Sequence, residues 1–242
     1  MSALERLAGS FTEGATFKKR NVDLILKHGS HNQKTHGGKG GGGGSESAPL
    51  VYPTRKSNPE LAASLKDYVV QYPEGMGHAY INSALRDPFR STTATLGAQG
   101  RMNVILNERV SELDKLVELS PALPEDTVVY RGIGGAFAME LEAKGVGATF
   151  TDAGFTSVSL DRSIARGFPS RPSGNVMEIV LPAGTKAINP SKFFTSGKIG
   201  GTELRQEKEL ILGRGTTFEI LSIEDNPIPF GLGSNFKIGI KG

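Results

Sequence analysis

Cysteine is missing from this chain of 242 residues, and so is any long apolar run. Without cysteine there can be no disulfide framework, no thiolate nucleophile and no cysteine-ligated metal site. No stretch approaches the roughly 20 apolar residues that span a membrane, and the N-terminus lacks the apolar core of a signal peptide. These absences predict a soluble protein of a reducing compartment, without a membrane partner.

Positive charge is concentrated at the beginning of the chain. The net charge is +3, but residues 1–44 carry seven lysines and arginines against three acidic residues, so the remainder has a net charge of about −1. Binding to nucleic acid normally requires a basic surface near the site. We therefore expect any attraction to acidic surfaces to belong to the N-terminal arm, and we do not expect the body to act on nucleic acid.

A low-complexity segment separates this arm from the rest of the chain. Residues 28–48 are dominated by glycine, which has little side chain to bury and much backbone entropy to lose, so they are predicted to form a flexible linker. Residues 1–27 then form a basic arm, and residues 49–242 form the folded domain. Three histidines lie in the linker: His28, His31 and His36. Because no carboxylate or fourth ligand accompanies them, we interpret them as linker residues and expect no metal.

Helical patterns come first in the domain, and strand patterns follow. Apolar spacing predicts helices within residues 57–72, 77–87 and 103–119, the first capped by Asn58. Short β-branched segments bounded by turn residues predict strands within 126–132, 154–160, 175–182, 208–213, 217–223 and 235–240, with a short helix within 161–168. Helices followed by strands, without a βαβ rhythm, indicate an α+β fold.

Two carboxylates precede the strand at 208–213. Alternation along a strand predicts that Glu207 and Glu209 point the same way, although like charges repel. An exposed strand end is the ordinary interpretation of such a pair. Likewise, Arg131 at the end of a strand is ordinarily a surface cation, and the serines of a strand ordinarily face solvent or bond to nearby backbone.

The order of these elements is more specific than any one of them. Along the chain stand Tyr-Ile-Asn with a trailing Leu-Arg at 80–86, Tyr-Arg-Gly at 130–132, Ser-Val-Ser at 157–159, Phe168 with Arg171, and Glu-Lys-Glu at 207–209. Together they resemble the arginine–serine–glutamate class of mono-ADP-ribosyltransferases, which includes clostridial binary toxins, Rho-modifying exoenzymes and phage-encoded transferases. The resemblance covers most of residues 58–223. It implies N-terminal helices packed on a two-sheet, mainly antiparallel core.

The resemblance also implies a reaction and a set of residues. The co-substrate is NAD, whose nicotinamide–ribose bond is broken without a metal. The catalytic residues are Glu209, Glu207, Ser157 and Arg131. The residues that bind NAD are Arg131, Gly132, Ser157, Phe168, Arg171, Asn82 and Arg86. In this assignment Glu209 stabilises the ribose cation, and Ser157 holds Glu209 in place.

The acceptor follows from the residue two before the catalytic glutamate. In the family a glutamate there accompanies arginine modification, so Glu207 implies transfer to an exposed arginine of a host protein. The chain departs from the family at two positions. Val158 replaces the central threonine of Ser-Thr-Ser, a nearly isosteric change, and Leu204 replaces the aromatic residue with which actin-modifying relatives meet their target.

A second, shorter resemblance concerns the linker. The stretch KHGSHNQKTHGGKG at residues 27–40 resembles a segment of phage head-morphogenesis and portal-associated proteins. It implies a phage-encoded protein located in the virion or the host cytoplasm, whose arm binds capsid or portal proteins. The alternative is a virion structural or docking protein in which the transferase fold serves only as a scaffold.

Overall fold

The structure is a computed structural model, and it describes residues 50–70, 77–87, 98–167, 174–194, 198–199, 202–203, 208–228 and 231–241. All of these belong to the unit that begins at Ala48. The predicted arm and linker, together with Phe168, Arg171, Leu204 and Glu207, lie outside the described residues. Within the described part of the chain, no helix is long and apolar enough to cross a membrane.

The three helices predicted at the start of the domain precede the first strand, and three more helices lie among the strands. They are α1 (Ala62–Val69, preceded by a 3₁₀ turn at Pro59–Leu61), α2 (Gly77–Arg86), α3 (Ala98–Leu119), α4 (Gly135–Lys144), α5 (Arg162–Ala165) and α6 (Pro190–Phe193). The cap predicted at Asn58 is wrong in detail. Asn58 does precede the first turn, but its side chain accepts no hydrogen bond from that turn and instead donates to Ser57 Oγ at 2.8 Å.

The strands form a mainly antiparallel sheet. They are β1 (Thr127–Gly132), β2 (Thr149–Asp152), β3 (Thr156–Ser159), β4 (Val176–Leu181), β5 (Ala187–Ile188), β6 (Lys198–Ile199), β7 (Thr202–Glu203), β8 (Glu209–Leu212), β9 (Thr216–Ile228) and β10 (Gly231–Ile240). Eight of them run in the order β2-β9-β10-β4-β1-β3-β8-β5, while β6 and β7 pair separately. In the large sheet only β10 and β4 are parallel neighbours. The predicted α+β class is confirmed.

The predicted division of the core into two sheets is not confirmed. The eight strands join into one hydrogen-bonded sheet, but β1 and β3 share a single register pair, Tyr130 with Ser159. Six pairs connect β1 to β4, and four connect β3 to β8. The sheet is therefore weakly joined between two well-paired halves, at the place where the predicted site residues lie.

Two apolar clusters stabilise this arrangement. One lies between α4 and the large sheet, with members from β1, β3, β4, β5, β8, β9 and β10, and its Leu141 and Phe236 are fully buried. The other places α1, α2 and α3 against β5 and β8, with Tyr68 among its fully buried members. Burial of a leucine- or phenylalanine-sized side chain contributes about 1.5–3 kcal/mol, so the helices are held on β8 by apolar burial.

Six elements were not predicted: α4, α6, β2, β5, β6 and β7. Helix α4 and strand β2 are two examples. Helix α4 lies in a stretch with a glycine pair at its start, and Gly145, at φ 76°, ends it. Strand β2 is only four residues long and pairs with β9 at the sheet edge. The other four have only two to four residues each, and tertiary contacts rather than sequence periodicity decide such short elements.

The predicted start of the strand at Lys208 is wrong, and with it the basis for expecting regular alternation before Glu209. Strand β8 begins at Glu209, and Lys208 has a left-handed backbone with φ 47°. The Lys208 ammonium bonds Asp161 Oδ2 at 2.9 Å, and Leu160 N donates to the Lys208 carbonyl at 3.0 Å. A left-handed residue breaks the pleat, so strand alternation does not extend back through Lys208, and Glu207 itself lies outside the described residues.

Candidate active site

Glu209 and Ser157 lie on neighbouring antiparallel strands. In the β3–β8 ladder Ser159 faces Glu209 directly and Ser157 faces Ile211. Ser157 is therefore the diagonal neighbour of Glu209 on the same face, a separation that the long side chain of a glutamate can span. Both residues are half-buried. The catalytic roles assigned to the two side chains remain predictions.

Behind Ser157 lies a group of uncharged, buried polar atoms, which we name the neutral cluster: Tyr68, Asn82, Ser157 and the backbone of Phe155. The Asn82 amide donates to Tyr68 Oη at 3.1 Å and to the Phe155 carbonyl at 3.0 Å, and Asn82 Oδ1 accepts from Phe155 N at 2.8 Å. Tyr68 Oη lies 3.1 Å from Ser157 Oγ. Every polar atom of Asn82 is thus bonded, and a buried group satisfied in this way holds its geometry.

The second group is charged, and we name it the charged cluster: Arg86, Arg131 and Asp152. Arg86 donates to both carboxylate oxygens of Asp152 at 2.8 Å. Arg131 Nη1 lies 3.8 Å from Asp152 Oδ2. Gly154 N and Thr156 Oγ1 also donate to Asp152, each at 2.9 Å. One carboxylate therefore serves two guanidinium groups and two further donors.

Arg131 is the under-satisfied member of the charged cluster. Its Nη1 is buried and has no hydrogen-bond partner among the described residues, although a quarter of the side chain (25%) is exposed. Burial lowers the pKa of Arg131, the Asp152 charge raises it, and the Arg86 charge lowers it again. Burial lowers the pKa of His78, and the positive charges of Arg131 and Arg86 lower it further. An arginine stays protonated in proteins, so two positive charges face the single negative charge of Asp152. The cluster therefore keeps a net positive charge and N–H donors that Asp152 does not bind.

A cavity of about 590 Å³ opens beside the charged cluster. It is lined by Arg86, Arg131, Gly132, Ile133, Gly134, Phe137, Glu140, Phe150, Thr151, Asp152 and Ala153. The volume lies within the range of about 300–1,000 Å³ typical of small-molecule and cofactor sites. Two acidic side chains line the cavity. Asp152 belongs to the charged cluster, and Glu140 pairs with Lys144 at 3.5 Å. The wall that faces a ligand thus combines guanidinium donors with the aromatic rings of Phe137 and Phe150.

The predicted site residues fall into three groups. Arg86, Arg131 and Gly132 line the cavity, while Ser157 and Glu209 are diagonal neighbours in the β3–β8 ladder and do not line it. Asn82 does not line the cavity: it is 3% exposed and bonded within the neutral cluster. Phe168, Arg171 and Glu207, as noted, lie outside the described residues. Their assignments remain predictions.

Two residues of the site were missed by sequence reasoning. Tyr68 was treated only as part of the apolar stripe of α1, yet a buried tyrosine usually finds a partner for its hydroxyl, and that rule could have singled it out. Asp152 stands two residues before Gly154, where an aspartate readily accepts a backbone hydrogen bond. Its pairing with Arg86 joins positions 66 residues apart and could be found only in three dimensions.

Comparison with known proteins identifies the family. The sequence model of the ADP-ribosyltransferase exoenzyme family matches residues 54–235. Among proteins with curated functions, none matches the sequence.

Solved structures agree in fold. The chain is 17% identical to Plx2a, an ADP-ribosyltransferase toxin from Paenibacillus larvae, with a TM-score of 0.50 over 78% of this chain and 92% of that one. It is 17% identical to the enzymatic component C2-I of the C2 toxin from Clostridium botulinum, with a TM-score of 0.53 over 76% of this chain and 43% of that one. For BECa of the binary enterotoxin of C. perfringens, in a structure with NADH, the values are 16%, 0.53, 77% and 46%. The match over residues 54–235 spans most of the chain and contains both polar clusters, and the chain therefore belongs to the ADP-ribosyltransferase exoenzyme family.

Proposed function

We propose that this protein is a mono-ADP-ribosyltransferase that cleaves NAD between nicotinamide and ribose and transfers the ADP-ribosyl group to an arginine side chain. The observation that carries the proposal is Arg131, whose buried Nη1 has no hydrogen-bond partner among the described residues at the wall of a cofactor-sized cavity. A desolvated guanidinium with a free donor is unfavourable unless an anion completes it. The pyrophosphate of NAD is such an anion.

The charged cluster suits the pyrophosphate for two further reasons. Guanidinium groups bind phosphate oxygens through paired, directional hydrogen bonds, and both Arg86 and Arg131 line the cavity. Gly132 has no side chain, so a ligand can approach its backbone closely. Arg171 and Phe168 are assigned to the pyrophosphate and the nicotinamide ring on the resemblance alone.

Glu209 acts on the ribose in this proposal. As the bond between ribose C1′ and the nicotinamide nitrogen breaks, its electron pair stays with nicotinamide, which leaves as a neutral molecule. Positive charge then develops on C1′ and the ribose ring oxygen, and an ionised carboxylate beside them stabilises the transition state. Ser157, the diagonal neighbour of Glu209, donates a hydrogen bond that keeps the carboxylate in place.

The acceptor step is assigned to Glu207. A guanidine nitrogen of the acceptor arginine forms a bond to C1′, and the proton that this nitrogen loses passes to the Glu207 carboxylate. The choice of arginine rests on the Glu-Lys-Glu sequence. We also propose that the acceptors are host proteins and that the protein is phage-encoded, with the basic arm docking on capsid or portal proteins, on the strength of residues 27–40 alone.

The test follows nicotinamide release and ADP-ribosyl-agmatine formation in parallel, with NAD as substrate and agmatine as an arginine analogue. The wild type is expected to produce both. Glu209→Gln keeps the size of the side chain but removes its charge, so both rates should fall about a hundred- to a thousand-fold. Glu118→Gln, a change on the exposed side of α3, is the matched control and should behave as the wild type.

Glu207→Gln separates cleavage from transfer. Agmatine modification should fall steeply, because the acceptor keeps its proton longer, while slow hydrolysis of NAD persists because water needs no such base to trap the ribose cation. Equal loss of both activities would show that Glu207 also supports cleavage. If the wild type releases no nicotinamide with agmatine or bacterial lysate present, the proposed function is wrong.

A further inference from the structure

Tyr68 connects the helical layer to the strand that carries Ser157. The ring is fully buried among α1, α2 and α3, and its edge meets Phe155 at a centroid distance of 5.9 Å. Its hydroxyl is the only part that takes part in hydrogen bonds, with Asn82 Nδ2 and Ser157 Oγ at 3.1 Å each and the Phe155 carbonyl at 3.3 Å. A phenol hydroxyl has one proton to donate and can accept two. The direction of each bond can therefore be worked out.

The backbone of Phe155 fixes which atoms donate and which accept in this group. Its N–H can only donate, so the Asn82 atom that lies 2.8 Å away must be the amide oxygen. The amide nitrogen of Asn82 then faces Tyr68 and the Phe155 carbonyl, and its two protons serve these two acceptors. Tyr68 Oη accordingly accepts from Asn82, and its own proton is free for another partner.

Ser157 is the better acceptor for that proton. The Phe155 carbonyl already accepts from Asn82 at 3.0 Å and lies farther from Tyr68, at 3.3 Å against 3.1 Å for Ser157 Oγ. Burial raises the pKa of the Tyr68 phenol to about 12; the hydrogen bond with Ser157 opposes this rise, and the charge of Glu209 adds to it. The phenol therefore keeps its proton at neutral pH, and the influence of Glu209 indicates that its carboxylate is near.

We propose that Tyr68 is a positioning residue that sets the direction of the Ser157 hydroxyl. Because Ser157 Oγ accepts from Tyr68, its own proton points away from Tyr68 and is donated to Glu209 on the adjacent strand. The chain of bonds runs from Asn82 to Tyr68, to Ser157 and to the carboxylate. This inference rests on the proposed function, in which Glu209 is the group that must be held.

Without the Tyr68 hydroxyl, Ser157 loses its donor. Its proton can then turn toward the Phe155 carbonyl or toward solvent, and Glu209 is held less often in the reactive position. NAD binding relies on the charged cluster and should be little affected. The effect should therefore appear in kcat and not in KM, a separation that a general loosening of the fold would not produce.

The first measurement compares Tyr68→Phe with the wild type in steady-state nicotinamide release. Loss of one orienting hydrogen bond should lower kcat about ten-fold and leave KM for NAD within about two-fold. Tyr52→Phe removes the same hydroxyl from a half-buried tyrosine outside both clusters and should match the wild type. A larger change in KM than in kcat would overturn the proposal.

The second measurement is a double-mutant cycle with Ser157→Ala. If Tyr68 acts through Ser157, Tyr68→Phe should lower kcat by less than about two-fold once Ser157 is alanine. If the two reductions multiply instead, Tyr68 does not work through Ser157 and the inference is wrong, while nicotinamide release by the wild type still supports the proposed function. If the wild type releases no nicotinamide, the proposed function fails, and this inference fails with it.

Discussion

The neutral cluster and the charged cluster lie side by side around Gly154, yet they differ in how completely their polar atoms are hydrogen-bonded. In the neutral cluster every polar atom of Asn82 has a partner, and no group carries a charge. In the charged cluster one carboxylate serves two guanidinium groups, and a buried nitrogen of Arg131 has no hydrogen-bond partner among the described residues.

This difference separates positioning from binding. A satisfied, buried, uncharged network is rigid and gains nothing from a ligand, so it suits the task of holding Ser157. A desolvated cation with spare donors is completed only when an anion arrives, so it suits the task of binding one. The comparison predicts that changes in the neutral cluster reduce stability, whereas changes in the charged cluster reduce affinity for NAD.

The largest effect is expected from Asn82→Ala. The change leaves the buried Phe155 N–H without an acceptor and takes a donor from Tyr68, and losses of this kind should lower the free energy of unfolding by about 3 kcal/mol. Urea denaturation measures it, with the partly exposed Asn58 changed to alanine as the control. NAD affinity of the folded fraction should stay within about three-fold, or about 0.6 kcal/mol. A large loss of affinity would mean that Asn82 contacts the dinucleotide, as the family resemblance implied.

Arg131→Ala should produce the opposite result. Charged hydrogen bonds to phosphate contribute about 1.5–3 kcal/mol, so the dissociation constant for NAD should rise about ten- to a hundred-fold. Stability should change by less than about 1 kcal/mol, because a poorly paired buried charge is removed. Calorimetric titration and thermal unfolding test the two halves, with Arg214→Ala, which removes an exposed partner of Asp114, as the control. Unfolding of the variant with affinity retained would reverse the comparison.

Gly154→Ala affects both clusters at once. A methyl group there would lie 2.7 Å from Asn82 Oδ1 and 3.3 Å from Arg86 Nε. Since the Asn82 amide is bonded and cannot turn away, we expect a loss of about 1–2 kcal/mol in stability together with weaker NAD binding. Gly135→Ala, where an added methyl group meets nothing within 4 Å, should change neither. A Gly154→Ala protein with normal stability would show that the neutral cluster is more adaptable than its bonding indicates.

The smallest effect concerns acid. Burial alone would raise the pKa of Asp152, but hydrogen bonds and charge from Arg86, the Gly154 N–H and the Arg131 charge outweigh it, so the pKa is lowered. A lowered pKa in the folded state gives stability that is present above the ordinary aspartate value, near pH 4, and is lost as the pH falls through the folded value.

Asp152→Asn should remove that part of the acid dependence. Between about pH 4 and pH 2 its free energy of unfolding should fall less steeply than that of the wild type, by up to about 1 kcal/mol because Arg86 is partly exposed. Denaturation series at several pH values measure this, with the exposed Asp225 changed to asparagine as the control. Parallel curves for wild type and Asp152→Asn would show that the charged cluster does not depend on the Asp152 charge.

Sequence patterns predicted the first three helices and the buried strands well. Helices α1, α2 and α3 and strands β1, β3, β4 and β8 all lie where apolar spacing and turn residues indicated. Such patterns report which face of an element is buried, and they are strongest in long or fully buried segments. The four-residue β2 has no buried residue, unlike β3 and β8, so it shows no apolar pattern. Regular alternation before Glu209 was expected wrongly, because Lys208 adopts a left-handed backbone that no neighbouring glycine or asparagine indicates.

The amino-acid order alone was enough to indicate the α+β class, the Arg–Ser–Glu elements and the family, because these depend on residue types at short spacings along the chain. The tertiary structure decided which of these residues face the cavity and which lie behind it. Asn82 and Arg86 are one helical turn apart in α2, yet one is enclosed by Tyr68 and Phe155 and the other reaches Asp152 beside the cavity. The partners that separate them come from α1, β2 and the start of β3, and only packing brings those distant segments together.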